Sequence, residues 1–130
     1  MRNNIVPTSY ETPVSELMTA DLVTIETSDT VGRARDLMVG LGVHALPVLE
    51  DGVAVGIVTS ADLVEEWPAG EPLTTMMSRS VRLVEPTATA SEAAAIMRDD
   101  RIHHLVVVEG ATPVGILSTF DLLQVLSDAR

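Results

Sequence analysis

The stretch Gly56-Ile57-Val58-Thr59-Ser60-Ala61-Asp62 returns in outline 59 positions later as Gly115-Ile116-Leu117-Ser118-Thr119-Phe120-Asp121. The same shift, without a gap, pairs Met18 with Met77, Glu26 with Glu85, Thr30 with Thr89, Met38 with Met97, His44 with His103 and Val48 with Val107. The 130-residue chain is therefore a tandem of two units of about sixty residues each. Open solenoids stack three or more copies of a shorter repeat. Two copies of this length predict a closed, pseudo-symmetric pair.

Each copy reads in the same order. Short helical turns are expected at 14–18 and 73–77, and short strands at 22–25 and 81–84. Thr30 and Thr89 are placed to cap helices, because Val31, Ala34, Leu37, Met38 and Leu41, and then Ala93, Ile96 and Met97, follow the 3.6-residue period. Gly40 and Gly42 end the first of these. Residues 45–49 and 105–108 are apolar without alternation, as expected of strands covered on both faces. Asp51-Gly52 is a strong hairpin signal and Gly110-Ala111 a weaker one. Returning strands at 53–58 and 114–117 lead into closing helices at 60–67 and 119–127.

The reading is thus an α/β (α+β) chain of two β-α-β-β-α units, residues 14–67 and 73–127. The linker 68–72 between them holds two prolines and a glycine. Residues 1–13 are polar and lack an apolar period, which suits a flexible lead, with an arm laid on the domain as the alternative. One small sheet buries too little surface to stand alone, so the two sheets are expected to pack together.

Composition narrows the function. With 46% apolar but 2% aromatic residues, the core must be built from Val, Leu, Ile, Ala and Met. The absence of cysteine excludes disulfides, thiolate catalysis and cysteine-held metals, and favours a reducing compartment. The polar start Met1-Arg2-Asn3-Asn4 lacks a signal-peptide pattern, and no apolar run approaches the ~18 residues of a membrane span. The expectation is a cytoplasmic protein with no membrane contact. A net charge of −11, with eight Arg and no Lys, opposes nucleic-acid binding. It also opposes a highly charged ligand unless His or Arg is placed locally or a cation accompanies it.

Two motifs stand where a strand turns into a helix: Thr59-x-x-Asp62 and Ser118-x-x-Asp121. Their spacing is that of a capping box, which satisfies free N–H groups of the first turn. The same junction presents N–H groups, a hydroxyl and a carboxylate toward one crevice. An ionised Asp accepts through two oxygens and suits a vicinal diol such as ribose. Both readings stand on these residues.

With His44-Ala45-Leu46-Pro47-Val48 and His103-His104-Leu105-Val106-Val107 in the same order, the paired units resemble a tandem of CBS domains, or Bateman module, over about residues 14–126. The resemblance implies two sheets packed together and clefts for an adenosine-containing ligand: AMP, ADP, ATP or S-adenosylmethionine. It also implies a homodimer held by helices. By position, Asp62 and Asp121 would hold ribose hydroxyls, and Thr59 and Ser118 would contact ribose or phosphate. His44, His103 and His104 would lie near the phosphate. Ala45 stands where a basic residue would help hold that phosphate, so the cleft expected to be richer in polar groups is the one using Ser118, Asp121 and the His103–His104 pair.

Three His without His-x-x-x-His spacing make a poor protein-held metal site, and magnesium is expected only as a nucleotide counter-ion. Arg33, Arg35, Arg98 and Arg101 read as solvated, and Arg82 is kept as a candidate phosphate contact. Leu63, Val64 and Trp67, with Leu122, Leu123 and Leu126, give the closing helices apolar faces for the core or for a dimer. No nucleophile–base motif, Walker sequence or dinucleotide fingerprint is present, so no enzyme is expected. The leading expectation is a stand-alone regulatory sensor acting on a separate effector protein. The alternative is a ligand-free dimerisation or scaffold module.

Overall fold

The computed structural model describes residues 9–128. After a 3-10 turn at Val14–Glu16 come β1 (Ile25–Glu26), α1 (Val31–Leu41), β2 (Ala45–Glu50), β3 (Val53–Thr59) and a second 3-10 turn at Asp62–Val64. The second copy runs α2 (Leu73–Met76), β4 (Leu83–Val84), α3 (Ala90–Asp100), β5 (His104–Glu109), β6 (Thr112–Ser118) and α4 (Thr119–Asp128). Each copy makes a three-stranded sheet, in the orders β1-β2-β3 and β4-β5-β6, whose first pair is parallel and second antiparallel.

The copies repeat each other down to their irregularities. Both hairpins carry a register shift at the same place, Val48/Leu49 and Val107/Val108. The first turn sets Asp51 and Gly52 both at positive φ, as a two-residue type I′ turn requires, whereas in the second only Gly110 does so. Thr30 caps α1 by accepting from the Arg33 N–H, and Thr89 with Glu92 closes a full capping box on α3. One difference traces to Pro47. Val106, its counterpart, donates its N–H to the Arg82 carbonyl. Proline has no N–H to give, and β1 begins one repeat position later than β4.

Alternate residues of the central strands face opposite ways. Leu46 and Val48 pack on α1 residues Ala34 and Met38, and Leu105 and Val107 pack on α3 residues Ala93 and Met97. On the other face, Ala54 and Leu49 of the first sheet meet Val106 and Val108 of the second, with Val81, just ahead of β4, packed against them. The sheets pack on each other through that third cluster.

The leading turns are exchanged. Val14 and Leu17 are buried in the core of the second copy, and Leu73 and Met77 in the core of the first. Thr19 bridges to Ile116, and their repeat equivalents Ser78 and Ile57 bridge in the same way. A Cβ on Gly56 would lie 2.8 Å from the Ser78 carbonyl, and one on Gly115 3.0 Å from that of Thr19, so glycine permits both approaches. The exchange begins earlier still. The first-turn N–H groups of α3, at Ala90 and Ser91, donate to the carbonyls of Thr12 and Tyr10. Those of α1, at Val31 and Gly32, donate to Glu71 and Ala69. Residues 10–12 are therefore the repeat counterpart of the linker, and Thr12 is buried. For residues 9–13 the arm, not the flexible lead, is the arrangement found; the remainder of the lead lies outside the described residues.

The first closing helix is corrected. In place of a helix over 60–67 there is the three-residue turn Asp62–Val64, with Glu65 already extended. Pro68 disfavours helical geometry at Trp67, and Glu65 and Glu66 would place two acids at the negative end of a helix. The second copy, free of proline there, forms α4 in full. It buries Val125 and leaves Phe120, Leu123 and Leu126 exposed at 77%, 51% and 57%.

Candidate functional site

The two Asp motifs are built alike. The Thr59 N–H donates to Asp62 Oδ2 at 2.8 Å and the Asp62 N–H to Thr59 Oγ1 at 3.4 Å. In the other copy the Ser118 N–H donates to Asp121 Oδ2 at 2.8 Å and the Asp121 N–H to Ser118 Oγ at 3.1 Å. The local capping geometry is thus realised in both. It does not exhaust either carboxylate, because the Thr59 and Ser118 N–H bonds fall on one oxygen and an ionised Asp has two.

Each motif lines a cleft whose opposite wall comes from the other copy. The first cleft, about 360 Å³, brings Thr59, Ser60 and Asp62 together with Ser78, Ser80, His103 and His104, and reaches His44. The second, about 260 Å³, brings Ser118 and Asp121 together with Thr19, Asp21, His44 and Ala45, and reaches His104. All seven candidate residues therefore line one cleft or both.

Their grouping differs from expectation. The His103–His104 pair faces Thr59 and Asp62, whereas Ser118 and Asp121 share their cleft with Ala45. The strand-to-helix end of one copy is set against the strand entrance of the other. The polar wealth accordingly passes to the Asp62 cleft. Arg82 lines neither cleft and pairs with Asp100 at the end of α3.

His104 borders both clefts. Burial holds its imidazole below the ordinary pKa, as does neighbouring His103, while Asp121 and Asp62 pull the other way. The ring lies between the two clefts, lining both. Among the described residues, no group of three or more His, Asp or Glu is gathered as a metal site.

Asp21, Ser60, Ser78 and Ser80 were missed by motif reading. For the Ala45/His104 difference a signal existed, a polar mismatch inside a repeated segment, whereas Asp21 and Ser80 fall in a stretch where the two copies share no residue at the 59-residue shift.

Two β-α-β-β units with exchanged leading segments and clefts between them define a paired-repeat architecture. The CBS domain model matches residues 14–68 and again 73–128, so the chain belongs to the CBS-domain family as a tandem pair. A Methanocaldococcus jannaschii protein is 29% identical over 92% of this chain, which spans only 33% of that protein's length. The CBS domain-containing protein YhcV of Bacillus subtilis is 30% identical, with 84% of this chain and 81% of that protein aligned. Among solved structures, CBSX2 in complex with AMP superposes with a TM-score of 0.75 at 25% identity, covering 91% of this chain and 98% of that one. The chain thus aligns with most of one relative and with about a third of the other. No helix among the described residues is long and apolar enough to cross a membrane.

Proposed function

We propose that this chain is a regulatory module that binds an adenosine-containing ligand between its two CBS units and passes the change to a separate effector protein. One observation carries the reading: an Asp carboxylate and a hydroxyl at each strand-to-helix junction face imidazoles of the opposite unit across a cleft. The carboxylate suits the ribose diol, and the hydroxyls and imidazoles suit the tail beyond it. The AMP bound by CBSX2 is in keeping with that ligand class.

The mechanism is differential affinity. A ligand that touches both walls favours the arrangement of the two units that brings those walls together. AMP, ADP, ATP and S-adenosylmethionine all present the ribose, with magnesium entering only as a counter-ion of the polyphosphates. No catalytic step is assigned, and a cysteine-free chain fits the cytoplasm. Self-association belongs to the same reading. Tyr10, Ala94, Leu122, Leu123 and Leu126 line an apolar groove of about 550 Å³ between α3 and α4, the surface on which a second copy would seat.

The test is calorimetric titration of the purified chain with AMP, ADP, ATP and S-adenosylmethionine, with and without magnesium, after mass spectrometry for a retained ligand. Saturable binding that is lost in the Asp62→Asn, Asp121→Asn double variant supports the sensor. Absence of binding across the panel would leave a scaffold module in which the two motifs cap and do nothing else.

A further inference from the structure

The repeat shift that makes the clefts alike also shows where they part. Ser80 of the first cleft stands where the second has Asp21, and His104 where the second has Ala45. The first cleft gathers three imidazoles, four hydroxyls and one carboxylate: His44, His103 and His104; Thr59, Ser60, Ser78 and Ser80; Asp62. The second gathers two imidazoles, His44 and His104, against two carboxylates, Asp21 and Asp121. Full protonation of the rings would leave the first net positive and the second neutral. With the rings neutral both are acidic, the second more so.

We infer that the two clefts sort adenosyl ligands by the charge of the tail: the Asp62 cleft takes a phosphate tail and the Asp121 cleft an uncharged or cationic one. This rests on the adenosyl reading above and assigns a different ligand class to each of its two sites. The physics is local. A phosphate needs donors and positive charge, and in a chain of net charge −11 only a cluster such as His44, His103 and His104 supplies them. In the second cleft Asp21 would lie against that phosphate and repel it, yet the same carboxylate favours a sulfonium or ammonium group.

Proton dependence follows. The groups facing the imidazoles are Asp62 and, across the second cleft, Asp21 and Asp121, while Arg98 and Arg101 border the adjoining groove that His103 also lines. A phosphate dianion beside His104 opposes the burial that lowers its pKa, so anion binding in this cleft is linked to proton uptake at that ring and strengthens as pH falls. The second cleft has no such gain, because a cationic ligand there meets the same rings as repulsion.

The experiment uses AMP and S-adenosylmethionine as probes, titrated into the full chain and into its Asp62→Asn and Asp121→Asn variants. Asn keeps a side-chain acceptor for the junction N–H, and circular dichroism checks the fold of each variant. AMP binding is expected to weaken by about tenfold or more in Asp62→Asn and to persist in Asp121→Asn, with the opposite pattern for S-adenosylmethionine. AMP is expected to bind several-fold tighter at about pH 6.5 than at about pH 8, and S-adenosylmethionine is not. A gain of function closes the set: exposed Asp21 changed to Arg, in the Asp62→Asn background, should restore AMP binding through the second cleft.

Both ligands lost together in one variant, the reverse assignment, or no effect of pH on AMP would overturn the sorting while leaving the adenosyl reading intact. Failure of the unaltered chain to bind either probe would overturn the adenosyl reading and the sorting with it.

Discussion

The two copies agree most where they are buried and least where they meet solvent or line the clefts. Sheet order, the bulge between Val48 and Leu49, its twin between Val107 and Val108, and the exchanged leading turns are all kept. The closing element is a three-residue turn in one copy and a ten-residue helix in the other, and the clefts differ at Asp21/Ser80 and Ala45/His104. Packing constrains both copies through the same neighbours, since a core tolerates little change in volume. A cleft wall has no such constraint and can acquire charge in one copy alone. The lesson is that duplication fixed a frame and left two sites to diverge.

The largest contrast between the copies is expected at the glycines. Gly56→Ala would set a Cβ 2.8 Å from the backbone carbonyl of Ser78, whereas Gly115→Ala meets the flexible Met18 Sδ first and the Thr19 carbonyl at 3.0 Å. Both should destabilise by about 1–3 kcal/mol, with Gly56→Ala the worse, as read from urea unfolding midpoints. Equal losses would show that the two exchanged turns yield equally and that the asymmetry here has no energetic content.

The helix caps give a smaller contrast. Thr89 accepts from the Glu92 N–H at 3.1 Å and its own N–H donates to the Glu92 carboxylate at 2.9 Å, while Thr30 makes a single 3.3 Å bond to Arg33. Thr89→Ala should cost about 1 kcal/mol and Thr30→Ala less, in the same unfolding assay. The hydrogen bonds from Thr89 hold the Glu92 carboxyl below its usual pKa, so this part of the stability is present above the ordinary carboxylate range. It is lost as pH falls through the lowered value.

The smallest effect separates the copies at His104. Its folded-state pKa is depressed by burial, so the unfolded chain binds that proton more readily. Stability is then highest above the ordinary imidazole range and falls as pH drops through it. Thermal melts between about pH 7.5 and pH 5.5 should show a shallower decline in His104→Gln than in the unaltered chain. An unchanged slope would remove His104 from the account.

Much of this was legible in the amino-acid order because it is local or repeated. The 59-residue shift located both sheets, Thr30 and Thr89 announced their helices, and Asp51-Gly52 announced its turn. Pro68 also carried a local signal, and the apolar spacing of Leu63, Val64 and Trp67 obscured it. What could not be read locally was partnership across the chain. Nothing near His103 in sequence says that it will face Asp62 and not Asp121, because that pairing is decided by which sheet faces meet at Ala54, Val106 and Val108. The role of Asp21 was hidden for the same reason.

The exchanged leading turns bear on how such a chain could have come to exist. A chain with one repeat would lack the Val14–Leu17 or Leu73–Met77 segment that completes its own core, and could obtain it only by lending its segment to a second copy. Joining two repeats through residues 68–72 converts that loan between molecules into one within a molecule, at an effective concentration on the order of millimolar. Such joining removes dependence on protein concentration, and it frees the two clefts from the symmetry that would keep them identical in a dimer of single repeats.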